Sequence, residues 1–258
     1  MLIAQISDSH IISPDVNDPK SLAHMRALAQ FVAHINGLDE KPDLVIHTGD
    51  VTHGGKPEFY DIVKAVMSRL SIPVFFAAGN RDDRANLVAG LKDLGGAGTA
   101  DGFVIYSVDG FSVRLIAMDT QHREHNIGTT CSVRLAALEA MLKEQPNQPT
   151  ALFMHHPPFE VTTSSHPFQF DDKVLADAFL DVVAHHKQVV HLFCGHAHRP
   201  FTVELETCVA TVTPSLPPNN RIGEYEGVFK TEPLYHLHRW NPDTMRFETS
   251  LHAATLPV

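Results

Sequence analysis

Five short polar clusters each follow an apolar run that is typical of a buried strand. The runs cover residues 2–7, 44–48, 74–78, 151–154 and 189–194, and the clusters after them are Asp8-Ser9-His10, Gly49-Asp50, Gly79-Asn80-Arg81-Asp82, His155-His156-Pro157 and Gly195-His196-Ala197-His198. Strands of an open α/β sheet end at a common edge where ligands bind, so we expect the clusters to converge there. Aspartate, asparagine and histidine supply the oxygen and imidazole donors that divalent transition metals bind. The sequence therefore predicts a metal site.

Two of these clusters are weak evidence when each is taken alone. Asp8 and His10 lie two positions apart, so on a continuing strand their side chains would share a face and could hold one ion. Asp-x-His after a strand is also an ordinary turn with a surface histidine, and Gly49-Asp50 is common turn chemistry. The position of Asp50 gives it weight, because a carboxylate has two oxygens and can bridge the two cations of a two-metal hydrolase.

The cluster Gly195-His196-Ala197-His198 is more specific, since two imidazoles flank a small residue directly after a buried run. Asn80 adds a neutral amide oxygen, and the pair His155-His156 adds two further imidazoles. So many potential metal ligands at the ends of predicted strands are not expected by chance. The chain has 18 histidines, and we expect most of the others to be structural or solvated.

Length and composition favour one elaborated α/β domain. With 258 residues, 43% of them hydrophobic, the chain can bury a substantial core. The formal net charge is −10, with 30 acidic residues against 20 lysines and arginines, and no basic run stands out, so we expect no nucleic acid polymer as partner. No signal-peptide pattern and no apolar run of about 20 residues is found, which predicts a cytoplasmic protein without membrane contact. Cys131, Cys194 and Cys208 lack metal-type spacing, in agreement with a reducing compartment.

Helices, strands and turns alternate along the chain between the clusters. Ser21 is expected to cap one helix, Pro57 to lie in the first turn of a second, and a third helix to start near Arg84. Periodic apolar residues predict further helices over residues 132–143 and 173–184. Asp109-Gly110 lies between two apolar runs and predicts a β-hairpin, because this dipeptide readily adopts the positive φ of a tight turn. Residues 202–213 predict a strand pair that extends a second sheet. The core is then expected to lie in two sheets with helices outside them.

The composition changes at Pro214, but the sequence shows no flexible linker between two domains. Residues 1–213 carry all five clusters, whereas residues 214–258 begin with prolines and asparagines that are expected to break regular elements and end in a tail rich in tyrosine and histidine. A segment of about 45 residues interrupted by prolines cannot easily close its own core. We predict that residues 214–258 belong to the same domain and form a pocket rim or a subunit contact of a homo-oligomer.

The ordered motifs resemble those of the calcineurin-like metallophosphoesterases. The motifs are Asp-x-His, Gly-Asp, Gly-Asn-x-Asp, His-His-x-Pro and Gly-His-x-His, and the resemblance covers roughly residues 1–213. Within that superfamily, the spacing is most similar to bacterial cyclic nucleotide phosphodiesterases and glycerophosphodiesterases. The resemblance implies an α/β fold, a four-layer αββα sandwich of two mixed β-sheets flanked by helices, with two divalent metal ions at the carboxyl ends of the strands. Mn, Fe, Zn and Co all suit such ligands.

The resemblance also implies which residues bind the ions. One ion is expected on Asp8, His10, Asp50 and His198, and the second on Asp50, Asn80, His155 and His196. The ions are expected to neutralise the phosphoryl oxygens and to activate a water as hydroxide, so that no protein nucleophile is needed. His156 is not one of the implied ligands, so it is expected either to pack behind them or to contact the substrate.

One position departs from the family pattern, which usually reads Gly-Asn-His-Asp. Arg81 stands where the family has the histidine that stabilises or protonates the leaving oxygen. Arginine stays protonated, so it can hold a phosphate oxygen but cannot act as an acid. The acid is then His156, a water or no group at all, and the candidates for contact with the substrate are Asn80, Arg81, Arg84 and His156. An equally supported alternative is that Arg81 pairs on the rim with Asp82, Asp83 or Asp101.

Three classes of function remain open. Hydrolysis of small phosphodiesters, either 3',5'-cyclic nucleotides or glycerophosphodiesters, is favoured because every ligand position is filled. A phosphomonoesterase or a nuclease on the same scaffold is the alternative, and the scarcity of positive charge argues against a nuclease. A non-catalytic interaction module that kept the fold is the third class, and degenerate ligands would be its signature.

Overall fold

The structure, a computed structural model, describes residues 1–15, 17–96 and 101–256. The strands are β1 (Leu2–Ile6), β2 (Leu44–His47), β3 (Val74–Phe76), β4 (Tyr106–Val108), β5 (Arg114–Met118), β6 (Thr150–Met154), β7 (Val189–Cys194), β8 (Phe201–Glu204), β9 (Val209–Val212), β10 (Leu234–Asn241) and β11 (Arg246–Ala253). The helices are α1 (Pro19–Gly37), α2 (Pro57–Met67), α3 (Arg84–Leu91), α4 (Ser132–Glu144), α5 (Lys173–His185) and α6 (Val228–Thr231).

The strands form two mixed sheets. In the first, of order β11-β10-β1-β2-β3, strands β1 to β3 are parallel and the β10-β11 hairpin joins antiparallel at β1. In the second, of order β4-β5-β6-β7-β9-β8, the two edge strands are antiparallel to a parallel centre. Helices α1 to α3 supply apolar residues to a core with the first sheet, and α4 and α5 to a core with the second. The predicted four-layer αββα sandwich is confirmed. In the part of the chain that the structure describes, no helix is long and apolar enough to cross a membrane.

Helix α1 begins earlier than the sequence analysis predicts. Its N-cap is Asp18, whose carboxylate accepts hydrogen bonds from the backbone N–H groups of Lys20 and Ser21, and Pro19 occupies the first turn. Ser21 is buried inside the helix, and its hydroxyl donates to Asp18. The prediction of Ser21 as the cap is therefore wrong, because a carboxylate three residues earlier satisfies the free N–H groups.

The expectation that regular structure ends at Pro214 is wrong for much of the tail. Strand β10 pairs with β1 from Leu2↔Arg239 to Gln5↔His236, and β11 pairs with β10 along its whole length. The prolines precede this hairpin, and histidines between its apolar residues concealed the strand pattern. Residues 234–253 thus complete the first sheet. The role of the tail as pocket rim or subunit contact stays a prediction.

Three histidines are buried in the core between the sheets. His191 on β7 and His238 on β10 both lie near Phe247 of β11, with ring centroids 5.6 and 6.4 Å away, and His236 lies beside His238 at 5.6 Å. Burial lowers the pKa of His191 to about 3 and that of His236 to about 4, and it lowers the pKa of His238 well below its ordinary value. All three imidazoles are therefore neutral in the folded protein near neutral pH.

Acid should consequently destabilise this fold steeply. Below pH ~6.5 the unfolded chain takes up protons at these histidines and the folded chain does not. The free energy of unfolding therefore has its full value above that pH and decreases as the pH falls. Three such groups lower the free energy of unfolding by about 4 kcal/mol per pH unit between roughly pH 6 and 4.

Urea unfolding at pH 7.5, 6.0 and 5.0 measures the slope of the free energy of unfolding against pH. His236→Leu removes one of these groups, and no hydrogen bond from its side chain is found in the described structure, so it should reduce the slope by about 1.4 kcal/mol per pH unit. Exposed His185→Gln is the control, and equal slopes for the wild type and His236→Leu would refute the assignment.

Candidate metal centre

The predicted ligands lie in loops that directly follow β1, β2, β3, β6 and β7. Backbone hydrogen bonds join the loops after β1 and β2, from Asp8 N–H to the Gly49 carbonyl (3.0 Å) and from His10 N–H to the Asp50 carbonyl (3.0 Å). The loop after β7 joins them across the two sheets, because the backbone N–H of His196 donates to Oδ2 of Asp8 at 3.0 Å. The sheet edges therefore bring the distant clusters together, as predicted.

The backbone at these loops is strained. Residues with positive φ include five predicted ligands, which are Asp8 (55°), His10 (44°), Asp50 (49°), His196 (67°) and His198 (55°). In the described chain only two other non-glycine residues, Asp101 and Met245, share this conformation. A left-handed residue other than glycine costs about 1–2 kcal/mol, so the surrounding structure must impose it. Strain concentrated in this way is typical of functional sites.

Two motif glycines allow the loops to approach closely. A Cβ atom on Gly79 would lie 2.1 Å from the backbone nitrogen of Asp50, and a Cβ atom on Gly195 would lie 1.9 Å from Oγ of Ser7. Neither distance is possible for a real side chain. The glycines that precede Asn80 and His196 therefore set the spacing between ligand loops.

One group of donors surrounds Oδ1 of Asp8. This oxygen is buried without a hydrogen-bond partner. It lies 3.1 Å from Nε2 of His198 and 3.6 Å from Nε2 of His10, and those two nitrogens are 3.3 Å apart. A carboxylate oxygen and two imidazole nitrogens that converge without filling their hydrogen-bonding capacity fit a divalent ion.

A second group surrounds Nε2 of His155. Oδ1 of Asn80 lies 3.1 Å and Nδ1 of His196 lies 3.3 Å from this nitrogen. Asp50 lies between the two groups, with Oδ1 at 3.5 Å from Nε2 of His155 and Oδ2 at 3.5 Å from Nε2 of His10. The carboxylate of Asp50 therefore presents one oxygen to each group, as a bridging ligand does.

The charges of the site favour bound cations. Burial alone would raise the pKa of the Asp8 carboxyl, but His198 and His155 outweigh it and hold that pKa well below its ordinary value. Burial alone would lower the pKa of His155, but Asp50 and Asp8 outweigh it and raise the pKa to about 9. The buried carboxylates thus retain negative charge and attract positive charge.

Asp82 binds the loops of the site together. Its carboxylate accepts hydrogen bonds from the backbone N–H groups of Val51, Thr52 and Gly79, at 3.1, 3.0 and 3.0 Å, and from the Tyr60 hydroxyl. Burial, followed by the nearby charge of Asp50, raises its pKa to about 6. Asp82 is therefore the residue that fixes Asp50 relative to Asn80, a role that the sequence analysis missed.

Arg81 is exposed and lines a cleft of about 220 Å³ above the predicted ligands. Its backbone N–H donates to Oδ1 of Asp50 at 2.7 Å. In the described chain Arg81 forms no ion pair: Asp82 is engaged as above, and Asp83 caps α3. The predicted alternative of a rim pair is therefore not found. Lys20, in the first turn of α1, and Asn126, in a loop, also line the cleft, but neither belongs to a motif and the sequence analysis missed them.

Arg84 is paired with a buried carboxylate. Its Nε and Nη2 donate to the two carboxylate oxygens of buried Asp119 at 2.7 and 2.8 Å, and it lines a groove beside the cleft but not the cleft itself. A two-bond ion pair of this kind is strong and geometrically fixed. Arg84 thus anchors the start of α3, and its part in substrate binding stays a prediction.

His156 does not line the cleft, and its contact with the substrate stays a prediction. The residue is fully buried, and its Nδ1 lies 3.0 Å from the hydroxyl of Thr120. One ring nitrogen of His156 lies within 4.8 Å of ring nitrogens of His155 and His196, so these three residues form a further group that could hold an ion. Burial, with His196 and His155 nearby, holds its pKa well below the ordinary value, which favours the neutral ring.

Comparisons with known proteins show the family and the fold of this chain. A family model of the calcineurin-like phosphoesterases matches residues 1–200. The chain is 29% identical over 248 residues to a probable glycerophosphodiester phosphodiesterase GpdQ of Arcobacter nitrofigilis, covering 94% of this chain and 90% of that one. It is 32% identical over 202 residues to a probable cyclic nucleotide phosphodiesterase of Synechococcus sp., covering 77% and 74%. A dimetal phosphatase from Danio rerio shares the fold, with a TM-score of 0.69 at 14% identity and coverage of 99% and 96%.

Proposed function

Because the chain belongs to the calcineurin-like phosphoesterase family, we propose that it is a metal-dependent phosphodiesterase that hydrolyses small phosphodiesters. The observation that carries this proposal is the carboxylate of Asp50, which turns one oxygen to each of two groups of donors. A site built for one ion has no need of that arrangement. Two-metal centres hydrolyse phosphate esters by a clamp of this kind.

The residues present fit two divalent ions. Asp8, His10 and His198 with Oδ2 of Asp50 would hold the first ion, and Asn80, His155 and His196 with Oδ1 of Asp50 would hold the second. When bound, the ions supply positive charge for the phosphoryl oxygens and lower the pKa of a water enough to give hydroxide near neutral pH. Carboxylate, amide and imidazole ligands suit Mn, Fe, Zn and Co alike.

The cleft supplies further groups for an anionic substrate. Lys20 and Arg81 place two cationic side chains at its wall, and Asn126 adds an amide. Asn80 and Asn126 also line a neighbouring groove of about 450 Å³, which extends past His122 and Arg123. A diester has substituents on both sides of its phosphorus, and the cleft and groove together offer a place for each. The proposed role of Arg81 is to hold a phosphate oxygen.

The names of the relatives support two kinds of small diester, glycerophosphodiesters and cyclic nucleotides. Either substrate agrees with a cleft of this size and with the low positive charge of the chain. Steady-state rates across cyclic AMP, cyclic GMP, glycerophosphodiesters, a nucleoside monophosphate and bis(p-nitrophenyl) phosphate test the proposal. We expect the diesters to be hydrolysed faster than the monophosphate. A preference for the monophosphate would indicate a phosphomonoesterase, and an inactive protein that holds its metals would indicate an interaction module.

A further inference from the structure

Each of the four predicted ligand histidines turns one ring nitrogen toward the proposed metal site. The other ring nitrogen lies within hydrogen-bond distance of a group outside the predicted ligands. In His155 the outer nitrogen is Nδ1, which lies 2.8 Å from the backbone carbonyl of Thr48. In His198 it is again Nδ1, which lies 2.7 Å from the backbone carbonyl of Asn220. A carbonyl only accepts, so these rings carry their proton on Nδ1 and leave Nε2 free for an ion.

His196 has the opposite orientation. Its Nδ1 faces the metal site, 3.3 Å from Nε2 of His155, and its Nε2 lies 2.9 Å from the side-chain oxygen of Gln169. The acceptor here is a side chain and not a backbone carbonyl, so it can be removed by substitution. Gln169 follows no motif, and it lies more than twenty residues before His196 in a loop to which the sequence analysis assigns no function.

The structure holds the Gln169 amide in one orientation. Its Nε2 donates to the backbone carbonyl of His166, so the oxygen is left for His196. The backbone of the same residue is fixed as well, because the Gln169 carbonyl accepts from the N–H of Gly128 at 2.8 Å. The N–H of Asp171 in turn donates to the Gly128 carbonyl at 2.7 Å. Both ends of the amide are therefore engaged, and a flipped amide would lose the bond to His166.

We propose that Gln169 is a positioning residue for the second metal ion, which accepts the Nε2–H of His196 and so keeps Nδ1 of that ring free to bind the ion. This inference rests on the proposed function. Partners of this kind fix the tautomer and the ring orientation of metal-binding histidines, and their loss typically weakens metal affinity by about 10–100-fold. The effect falls on one ion of the pair, since His10 and His198 of the first group do not contact Gln169.

The test compares metal binding by three variants of the full chain. Gln169→Met keeps the length of the side chain without an acceptor, and Gln169→Glu keeps an acceptor oxygen at the same place. Gln188→Met is the matched control, because that half-buried glutamine donates to the Leu142 carbonyl and is not part of the site. Calorimetric titration of the metal-stripped proteins with Mn²⁺ gives the affinity and the stoichiometry of each step.

We expect two binding steps in the wild type and in Gln188→Met. In Gln169→Met one step should weaken by about 10–100-fold while the other stays within about twofold, and Gln169→Glu should restore the weakened step. Nitrogen-15 spectra of the zinc-loaded wild type should show His196 protonated at Nε2.

Unchanged affinities in Gln169→Met would overturn the proposal, and so would equal losses in Gln169→Met and Gln169→Glu, which would indicate only a packing role. A wild type that binds no more than one ion would instead overturn the two-metal function itself. The two failures are thus distinguished by the titration of the wild type.

Discussion

Replacement of Asp50 by alanine is expected to abolish diester hydrolysis, with a loss of about 10³-fold or more in kcat/KM. The two carboxylate oxygens of Asp50 face the two groups of ligands, at 3.5 Å from His10 and 3.5 Å from His155. Without this shared anion, two cations would face each other uncompensated and the pair would not be held. Metal content and the rate on bis(p-nitrophenyl) phosphate measure the outcome together.

Two further variants separate the loss of charge from the loss of fold. Asp50→Asn keeps an oxygen that can accept from the backbone N–H of Arg81, so the loop should persist while the bridge is weakened. Asp61→Ala removes an exposed carboxylate on α2 and should behave as the wild type. Full activity of folded Asp50→Ala with unchanged metal content would refute the two-metal site.

Substitution of Arg81 should alter the dependence of rate on the leaving group. Arginine cannot donate a proton and His156 does not line the cleft, so without proton transfer from a water the leaving oxygen must carry its own negative charge. Aryl diesters should therefore react much faster than alkyl diesters. Arg81→His supplies a group with an ordinary pKa of ~6.5, and a general acid typically contributes on the order of 10² to 10⁴ in rate. This gain should appear on the alkyl diester and narrow the gap.

Arg81→Ala tests binding separately from proton transfer. If the guanidinium holds a phosphate oxygen, KM should rise for aryl and alkyl diesters alike. Arg246→Ala, which removes an exposed arginine paired with Glu204 in the second sheet, is the control and should leave kcat and KM unchanged. Identical kinetics of the wild type, Arg81→His and Arg81→Ala on both diesters would place Arg81 outside the reaction.

The convergence of the polar clusters could be predicted from sequence because parallel strands end at one edge of a sheet. The assignment of residues to two ions came from the family resemblance and stays a prediction. Asp8, Asp50 and His196 each follow an apolar run, and parallel strands must end at one edge. The convergence of the motif histidines could therefore be predicted without knowledge of side-chain packing. The same logic predicted the order of helices and strands through β9.

The remaining features of the site and the β10-β11 hairpin depend on tertiary contacts, which leave no signal in the local sequence. Arg84 looks like a phosphate ligand in sequence, but Asp119, which binds it, lies 35 positions away. Gln169 and Lys20 are ordinary residues until the fold brings them beside the site. The β10-β11 hairpin was missed because its histidines appear polar in a pattern of hydrophobic residues, although burial makes them neutral core side chains.

Removal and return of metal tests the central claim most directly. The purified protein is stripped with a chelator, and diesterase activity is followed while Mn²⁺ is added in known equivalents. We expect activity to vanish on stripping and to return as up to two ions bind per chain, because the ligands converge on two positions that share Asp50. A stripped protein that retains full diesterase activity, or one that recovers it without taking up metal, would contradict the two-metal account.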